Sequence, residues 1–269
     1  MALSPERRDQ DLERLVARPL DVLVVGGGIT GAGVALDAAS RGLSVGIVEA
    51  RDWASGTSSR SSKLIHGGLR YLEMLDFRLI HEALKERGLL LARIAPHLVQ
   101  PIAILYPLRR PVIERAYVGA GVALYDLLAS SSATTRGLPF HRHLSRNSAL
   151  KVAPGLRPGA LAGAIEYYDA QVDDARFVIE TVRTAVALGA IAVSRAEVLG
   201  FAREDGRVAG AVVRGLESRN EHHVRARTTV VATGPWTEET EALAGHEHAV
   251  RVRPSKGVHL LVRRDTAAN

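Results

Sequence analysis

The sequence of 269 residues contains no cysteine, which excludes disulfides, thiolate metal sites, iron–sulfur clusters and cysteine nucleophiles. It also contains only four lysines, Lys63, Lys85, Lys151 and Lys256, so nearly all of the positive charge behind the net charge of +6 is arginine. The arginines are scattered, without a long basic run or an interleaved aromatic platform, and we expect no nucleic-acid binding. Attraction to an anionic membrane surface stays open.

Long hydrophobic runs are missing as well. No uninterrupted apolar segment approaches the ~20 residues that span a bilayer, and charged residues stand where a signal peptide has its apolar core. We therefore expect a cytoplasmic protein that is not integral to a membrane. Hydrophobic residues make up 46% of the chain and charged residues 24%, which is typical of a globular protein with one large domain or two smaller ones.

A glycine-rich turn between a strand and a helix is the most informative feature present. Val22–Val25 is short, apolar and rich in β-branched residues, as expected of a strand buried on both faces. Small and apolar residues recur at helical spacing over Ile29–Arg41, with Gly42 at the position of a C-terminal cap. Residues 44–49 predict a second strand that ends at Glu49. This pattern predicts a β-α-β unit.

The turn of this unit carries the three glycines of a dinucleotide fingerprint, Gly26, Gly28 and Gly31. Gly26 allows a sharp turn, Gly28 allows backbone amides to approach a pyrophosphate, and Gly31 allows the helix to pack closely on the sheet. Glu49 is placed to accept hydrogen bonds from ribose hydroxyls. Plain packing is the alternative, but the agreement of strand, turn, helix and acid favours a dinucleotide site. The fingerprint does not separate NAD from FAD.

The remaining pattern is less specific. We expect an amphipathic helix over Phe77–Ile94 and short extended pieces between the prolines that follow it. Val112–Ala129 predicts a helix, for which a core position is favoured over a membrane-surface position. A further helix is expected from Asp173 to about Leu188. Strands are expected at Ala164–Tyr168, Ala190–Ser194, Glu197–Ala202, Val208–Arg214, Thr228–Val231, Val250–Arg253 and Val258–Val262.

Four further motifs indicate the protein family more specifically than the glycine turn does. They are Gly56-Thr-Ser-Ser-Arg-Ser-Ser-Lys-Leu-Ile-His-Gly-Gly-Leu-Arg-Tyr71, Val172-Asp-Asp-Ala-Arg176, Ala232-Thr-Gly-Pro-Trp236 and Arg253-Pro-Ser-Lys-Gly257. With the glycine fingerprint and Glu49, the chain resembles the FAD-dependent glycerol-3-phosphate dehydrogenase family, within the D-amino-acid-oxidase-like flavoproteins. The resemblance runs from Pro19 to Val262. Its serine-rich block is far more specific than the fingerprint.

The resemblance implies an α/β protein with a Rossmann-like FAD-binding domain and the beginning of a mixed-sheet substrate domain. We assign residues 18–110 and 165–242 to the first domain, and residues 111–164 and 243–269 to the second. Beyond the fingerprint and Glu49, the residues implied to contact FAD are Thr57, Ser58, Ser62, Lys63, Leu64, Val198, Ala232 and Gly234. A solvated serine loop and an ordinary core valine at Val198 are the alternatives. A serine-hydrolase elbow is excluded, because Arg60 stands where that motif needs glycine.

The candidate catalytic residues are His66 and Arg70. A neutral imidazole at His66 would take the proton of a secondary alcohol as its hydride leaves, and the alternative is a structural histidine that orients the loop. Arg70 would provide a guanidinium fork for a phosphate, with a structural ion pair as the alternative. We expect no metal site, because the pairs His141/His143, His222/His223 and His246/His248 lack converging acidic partners.

The activity implied is oxidation of sn-glycerol 3-phosphate to dihydroxyacetone phosphate, with hydride transfer to flavin N5 and electrons passed to quinone. Such a protein would be peripheral on the inner face of the cell membrane. A related flavin oxidase or dehydrogenase of amines or hydroxy acids, a non-catalytic FAD-binding fragment and, more distantly, an NAD dehydrogenase are the alternatives. Oxygen as acceptor and a homodimer stay open.

Relatives in this family continue beyond the point that corresponds to Val262. Their later segment adds substrate-domain sheet, another cationic residue for the phosphate, and a stretch that covers the flavin. We therefore expect this chain to correspond to the N-terminal half of such an enzyme. We also expect it to bind FAD weakly and to have little or no activity by itself, because part of the cofactor's surroundings would be missing.

Overall fold

The computed structural model describes residues 3–72, 74–130, 138–245, 251–253, 255 and 257–258, and for Arg70 it describes the backbone alone. The chain divides into two compact units, residues 1–62 with 173–256, and residues 63–172 with 257–269. Residues 63–110, which the sequence analysis assigned to the FAD-binding domain, thus lie in the second unit by their contacts. The functional division into domains stays a prediction.

The described residues form ten strands and seven α-helices. The strands are β1 Leu20–Val25, β2 Val45–Glu49, β3 Leu64–Ile65, β4 Gln100–Leu108, β5 Arg142–Leu144, β6 Gly163–Gln171, β7 Ile191–Ser194, β8 Ala196–Glu204, β9 Arg207–Gly215 and β10 Glu221–Val231. The α-helices are α1 Arg8–Ala17, α2 Ile29–Ser40, α3 Phe77–Leu89, α4 Ile113–Ser130, α5 Arg146–Val152, α6 Asp174–Ala187 and α7 Thr237–Leu243. Short 3₁₀ turns include Thr57–Ser59, Leu69–Leu72 and Gly234–Trp236.

The first unit is built on a six-stranded sheet in the order β7-β2-β1-β10-β9-β8. Pairs β7–β2, β2–β1 and β1–β10 are parallel, whereas β10–β9 and β9–β8 are antiparallel. β10 serves both parts, since residues 221–225 pair with β9 and residues 226–231 pair with β1. The parallel strands and their crossover helices confirm the Rossmann-like α/β fold expected from the sequence.

Helices cover both faces of the parallel strands. α2 and α6 pack on one face, over a core that includes Val24, Ile47 and Val182. α1 packs on the other face, where Leu12 and Leu15 are fully buried. Burial on both faces explains why the strands are short apolar runs rather than alternating ones.

The hairpin between β8 and β9 follows directly from its turn residues. Asp205 and Gly206 have φ of 49° and 78°, the left-handed backbone that a two-residue hairpin turn requires.

The helix expected from Asp173 is α6, and the Asp173 side chain caps it by accepting a hydrogen bond from the Arg176 amide. Of the two last expected strands, residues 251–253 have no regular structure, and all but Val258 of the other lies outside the described residues.

The second unit is built on an antiparallel sheet around β6. β4 pairs with β6 along its whole length, while β3 and β5 pair with the opposite side of β6. The expectation that prolines break this region into short pieces is wrong, because β4 is one strand of nine residues that contains Pro101 and Pro107. Among the described strands β4 has a single neighbour, so prolines that lack an N–H are tolerated on its unpaired side.

Helices α3 and α4 pack together in the second unit. α3 continues into a π-helical turn, Leu90–Ile94, within the span expected to be one helix. On α4, Val122 and Tyr125 are fully buried, whereas Ile113 and Leu127 are 73% and 66% exposed. The core position expected for this helix thus applies to one of its faces. No described helix has both the length and the apolar content to cross a membrane.

Candidate dinucleotide-binding site

An open cavity of about 970 Å³ lies in the first unit, at the carboxyl ends of β1, β2 and β10. In open parallel sheets this end is where ligands bind. Eight of the residues expected to contact FAD line it: Gly26, Gly28, Glu49, Thr57, Ser58, Val198, Ala232 and Gly234. Residues far apart in sequence therefore meet at one cavity.

The glycine turn is shaped by close backbone approaches. Gly26 has φ of 113°, and a Cβ there would lie 2.4 Å from the carbonyl oxygen of Ala232. A Cβ at Gly31 would lie only 1.9 Å from the carbonyl oxygen of Gly26. Gly31, which is not in the cavity lining, therefore brings α2 against the turn, and any side chain at either position would push the backbone apart.

The amino end of α2 opens toward the cavity, since Gly28, Ile29 and Thr30 all line it. The amide of Ile29 donates a hydrogen bond to Ser58 Oγ at 2.9 Å. A Cβ at Gly28 would lie 3.2 Å from the same Ser58 oxygen, so there is little space for a side chain at position 28. The remaining amides of the first helical turn, which have no carbonyl partner within the helix, and the positive end of the helix dipole make this an anion-binding position.

Glu49 joins the turn to the tip of β2. Its Oε2 accepts a hydrogen bond from the Gly27 amide at 2.7 Å, and its Oε1 accepts one from the Arg51 amide at 2.8 Å. Each carboxylate oxygen has a further lone pair, and the side chain lines the cavity. Glu49 is therefore placed both to hold the turn and to accept a hydroxyl.

The serine-rich loop covers one side of the cavity. Thr57–Ser59 forms a 3₁₀ turn, and Ser61 donates a hydrogen bond to Asp174 at the start of α6. Ser62 is exposed and is not part of the cavity lining. On the opposite side the Ala232 amide donates to the Val25 carbonyl at 2.8 Å, which holds the Ala232–Gly234 turn beside the glycine turn.

Several cavity residues were missed by the sequence analysis. The guanidinium of Arg51 lies over the Trp236 ring, 4.5 Å from its centroid, and both residues line the cavity. Trp53, which is outside the cavity lining, packs under Gly27, where a Cβ would come within 2.5 Å of its ring. Because Arg51 follows Glu49 closely, its position at the cavity could have been predicted from the sequence. Its contact with Trp236 could not, because Trp236 is 185 positions away.

Four expected site residues, Lys63, Leu64, His66 and Arg70, belong to the second unit. The Lys63 carbonyl accepts a hydrogen bond from the Val172 amide at 3.0 Å, and Leu64 pairs with Gln171 in the sheet. His66 is exposed. Arg70 lies in the 3₁₀ turn Leu69–Leu72, and its side chain is outside the described residues.

Glycines Gly67 and Gly68 have a packing role within this unit. A Cβ at Gly67 would lie 2.4 Å from Leu84 Cδ2, and one at Gly68 would lie 2.2 Å from the Tyr71 ring. Gly68 also has φ of 72°. A side chain at Gly67 would have to displace Leu84 or the Tyr125 hydroxyl, and one at Gly68 would meet the Tyr71 ring, so local packing favours glycine at both positions.

The histidine pairs contribute no described metal cluster: among the residues that the structure describes, no three potential ligands converge. His141 Nδ1 is 2.7 Å from Asp126 Oδ2, and its ring lies edge-on to that of His143, 5.5 Å away. Burial, with the nearby His141 and Arg115, lowers the pKa of His143. His222 and His223 lie in β10, and His246 and His248 lie outside the described residues.

A parallel sheet with a glycine turn, an open helix end and an acid at the next strand tip defines a dinucleotide-binding domain. The chain belongs to the FAD dependent oxidoreductase family, whose model matches residues 21–269. The family confirms FAD as the cofactor and supersedes the NAD alternative. The glycine cradle and the open helix end fit its pyrophosphate.

The names of similar proteins are more specific than the description of the family. The chain is 48% identical over 264 residues to a glycerol-3-phosphate dehydrogenase of Mycobacterium leprae, covering 98% of the chain and 44% of that protein. It is 38% identical over 269 residues to an alpha-glycerophosphate oxidase of Streptococcus pyogenes, covering 98% and 43%. The crystal structure of a Bacillus halodurans glycerol-3-phosphate dehydrogenase complexed with FAD matches with a TM-score of 0.63 and 33% identity, over 86% of this chain and 37% of that one. The chain thus spans less than half the length of these relatives.

Proposed function

We propose that this protein oxidises sn-glycerol 3-phosphate to dihydroxyacetone phosphate with FAD. The observation that carries the proposal is the cavity at the end of the parallel strands, in a chain 48% identical to a glycerol-3-phosphate dehydrogenase. Two relatives with different names, a dehydrogenase and an oxidase, share the glycerophosphate in those names. The shared glycerophosphate supports the substrate, whereas the two names differ in the electron acceptor that they imply.

The first unit would hold the cofactor. The Gly26, Gly27 and Ile29 amides already donate to Val48, Glu49 and Ser58. The Gly28 amide and the remaining first-turn amides of α2 would therefore contact the pyrophosphate, and Thr57 and Ser58 would supply hydroxyls beside them. Glu49 would accept the ribose hydroxyls, and its charge would disfavour a 2′-phosphate. Ser62, Val198, Ala232 and Gly234 complete the contacts proposed in this unit. Lys63 and Leu64 of the second unit are proposed as further FAD contacts.

When bound, FAD supplies a hydride acceptor at N5 for the hydrogen on C2 of the substrate. His66 Nε2 or Nδ1, as neutral imidazole, would remove the proton of the C2 hydroxyl. Arg70 would hold the phosphate through its guanidinium fork. Hydride and proton leave the same carbon–oxygen unit, so the alcohol becomes the ketone and the two electrons reside on the cofactor.

We propose quinone as the acceptor that removes these electrons, and a peripheral position on the inner face of the membrane that would give access to it. The exposed apolar face of α4, with Ile113 and Leu127, supports a surface contact of this kind. Anaerobic reoxidation of the reduced protein by a soluble quinone, compared with reoxidation by oxygen, separates the two acceptors. Flotation with anionic vesicles tests the membrane contact, and light scattering tests the homodimer.

The central experiment is the visible spectrum of the purified protein with FAD, recorded anaerobically before and after glycerol 3-phosphate. We expect slow bleaching of the flavin bands by glycerol 3-phosphate, in line with the reduced activity expected of a chain that covers 44% of its relative. We expect none by glycerol, because glycerol lacks the phosphate that Arg70 would bind. His66→Gln should bind FAD equally and bleach about 10²-fold or more slowly, the typical contribution of a general base. Bleaching by an amine or another hydroxy acid instead would favour a related flavin oxidase. FAD binding without any reduction would favour a non-catalytic role.

A further inference from the structure

A buried hydrogen-bonded cluster lies in the core of the second unit. Arg87 of α3, Tyr125 of α4 and Asp169 of β6 are 2%, 0% and 2% exposed. Arg87 Nη1 donates to Asp169 Oδ1 at 2.6 Å, and the Tyr125 hydroxyl donates to Asp169 Oδ2 at 3.0 Å. Three elements are thus joined through one carboxyl group.

The cluster is also hydrogen-bonded to the backbone of the segment that contains His66. The backbone amide of Gly67 donates a hydrogen bond to the Tyr125 hydroxyl at 2.7 Å. Because that hydroxyl donates its own proton to Asp169, it is oriented to accept from Gly67. The packing of Gly67 against Leu84 prevents the segment from moving closer to α3. Gly67 is therefore held both by a directional bond and by contact.

Gly67 directly follows His66, the proposed base. Burial raises the pKa of the Asp169 carboxyl, while the charge of Arg87, hydrogen bonds from Arg87 and Tyr125, and the charge of His66 oppose that increase. His66 itself is exposed. A change in the cluster would reach His66 through the adjacent Gly67 peptide, whose amide is bound to Tyr125.

A buried ion pair is poor evidence for stability alone, since apolar replacements often stabilise a fold as well or better. Its well-supported use is to select one arrangement of the surrounding groups. Here the group selected is a backbone amide next to a proposed catalytic side chain. The direction of the hydrogen bonds, from Gly67 to Tyr125 to Asp169, makes the arrangement depend on the tyrosine hydroxyl.

We propose that Arg87, Tyr125 and Asp169 are positioning residues, which fix the Gly67 amide and so set the position of His66 for proton removal. The proposal rests on the function proposed above for His66. It assigns the tyrosine hydroxyl, rather than the tyrosine ring, as the group that matters.

The test compares Tyr125→Phe with Tyr117→Phe in the FAD-loaded protein. Both substitutions remove one hydroxyl from α4, but Tyr117 is 68% exposed and is not a member of the cluster. Amide hydrogen exchange is measured over residues 64–69, with α6 as an internal reference. Anaerobic reduction of the flavin is measured in parallel, over a range of glycerol 3-phosphate concentrations.

For Tyr125→Phe we expect exchange over residues 64–69 to accelerate about tenfold, with α6 unchanged, as one hydrogen bond is lost. The limiting rate of flavin reduction should fall by up to about 10²-fold with little change in half-saturating substrate, because a misplaced group impairs chemistry more than binding. Tyr117→Phe should change neither. If Tyr125→Phe does not fold, Asp169→Asn replaces it, since it retains the size and an acceptor for Arg87.

Unchanged exchange at residues 64–69, or faster exchange with an unchanged reduction rate, would overturn the positioning role. A uniform acceleration of exchange, α6 included, would also overturn it, because that result indicates general destabilisation. If glycerol 3-phosphate fails to reduce the wild-type flavin, the proposed function fails, whereas local exchange still decides whether the hydroxyl holds the segment.

Discussion

Gly31 offers a sharp test of how the glycine turn is built. A Cβ at this position would lie 1.9 Å from the Gly26 carbonyl oxygen and 3.3 Å from Val24 Cγ1. Real Cβ contacts essentially never fall below 3.0 Å, so the helix and the turn would have to separate by more than 1 Å. Gly33, two residues later in α2, has no atom within 4 Å of its Cβ position. The two glycines therefore form a matched pair.

From the structure we expect Gly31→Ala to lower the stability of the protein and Gly33→Ala to raise it. Alanine in a helix interior is about 1 kcal/mol more favourable than glycine, and Gly33→Ala should gain most of this. At Gly31 the same gain is opposed by overpacking against backbone, about 3 kcal/mol at the upper end of the usual range. Gly31→Ala should therefore destabilise by about 2 kcal/mol net. For a protein of this size, 1 kcal/mol corresponds to about 2–4 °C in Tm. The Tm of Gly31→Ala should therefore fall by about 4–8 °C, and that of Gly33→Ala should rise by about 2–4 °C.

Thermal unfolding followed by circular dichroism measures this difference, and FAD titration by flavin fluorescence measures its consequence. Because the separation moves the Gly28 amide and the amino end of α2, Gly31→Ala should weaken FAD binding by about tenfold or more, roughly one lost charge-assisted hydrogen bond. Gly33→Ala should bind FAD as the wild type does. Equal Tm values and equal FAD affinities for the two variants would refute both the close approach and its role in cofactor binding.

Two further predictions concern carboxylates of the first unit. Glu49→Gln should weaken FAD binding by about tenfold or more, because its amide group faces one of the backbone donors now bound by the carboxylate; unchanged affinity in a fluorescence titration would contradict the role of Glu49. Hydrogen bonds from the Ser44 amide and hydroxyl lower the pKa of Asp21 below 3.8, so its stabilisation is present above that pH and is lost as pH falls through the lowered pKa. Asp21→Asn should therefore lower Tm at pH 7, and this loss should diminish as pH falls below 3.8; a loss that does not change with pH would show that the charge is not involved.

Much of the first unit could be predicted because its signals are local. The apolar run Val22–Val25, the glycine turn and the small residues of α2 specify strand, turn and helix within about 20 positions. The hairpin at Asp205 and Gly206 is similarly specified by two residues that tolerate a left-handed backbone. In each case the physical cause is a φ preference or a burial period, which short segments carry by themselves.

The second unit was less predictable because its signals are not local. Pro101 and Pro107 suggested broken pieces, but the strand exists because β6 provides a partner along all nine residues. Gly67 is restricted by Leu84 of α3 and Tyr125 of α4, neighbours that lie far along the chain from it. Propensity is a weak guide wherever packing and strand pairing decide.

The sequence alone determined the β-α-β unit and the presence of a dinucleotide site, since backbone preferences and periodic burial act over short distances. Only the tertiary structure decided which distant groups meet. It placed Trp236 under Arg51 and brought the Tyr125 hydroxyl to the amide of Gly67, 58 positions earlier. Such pairs depend on the packing of whole helices and strands, and no pattern in either partner's own segment records them.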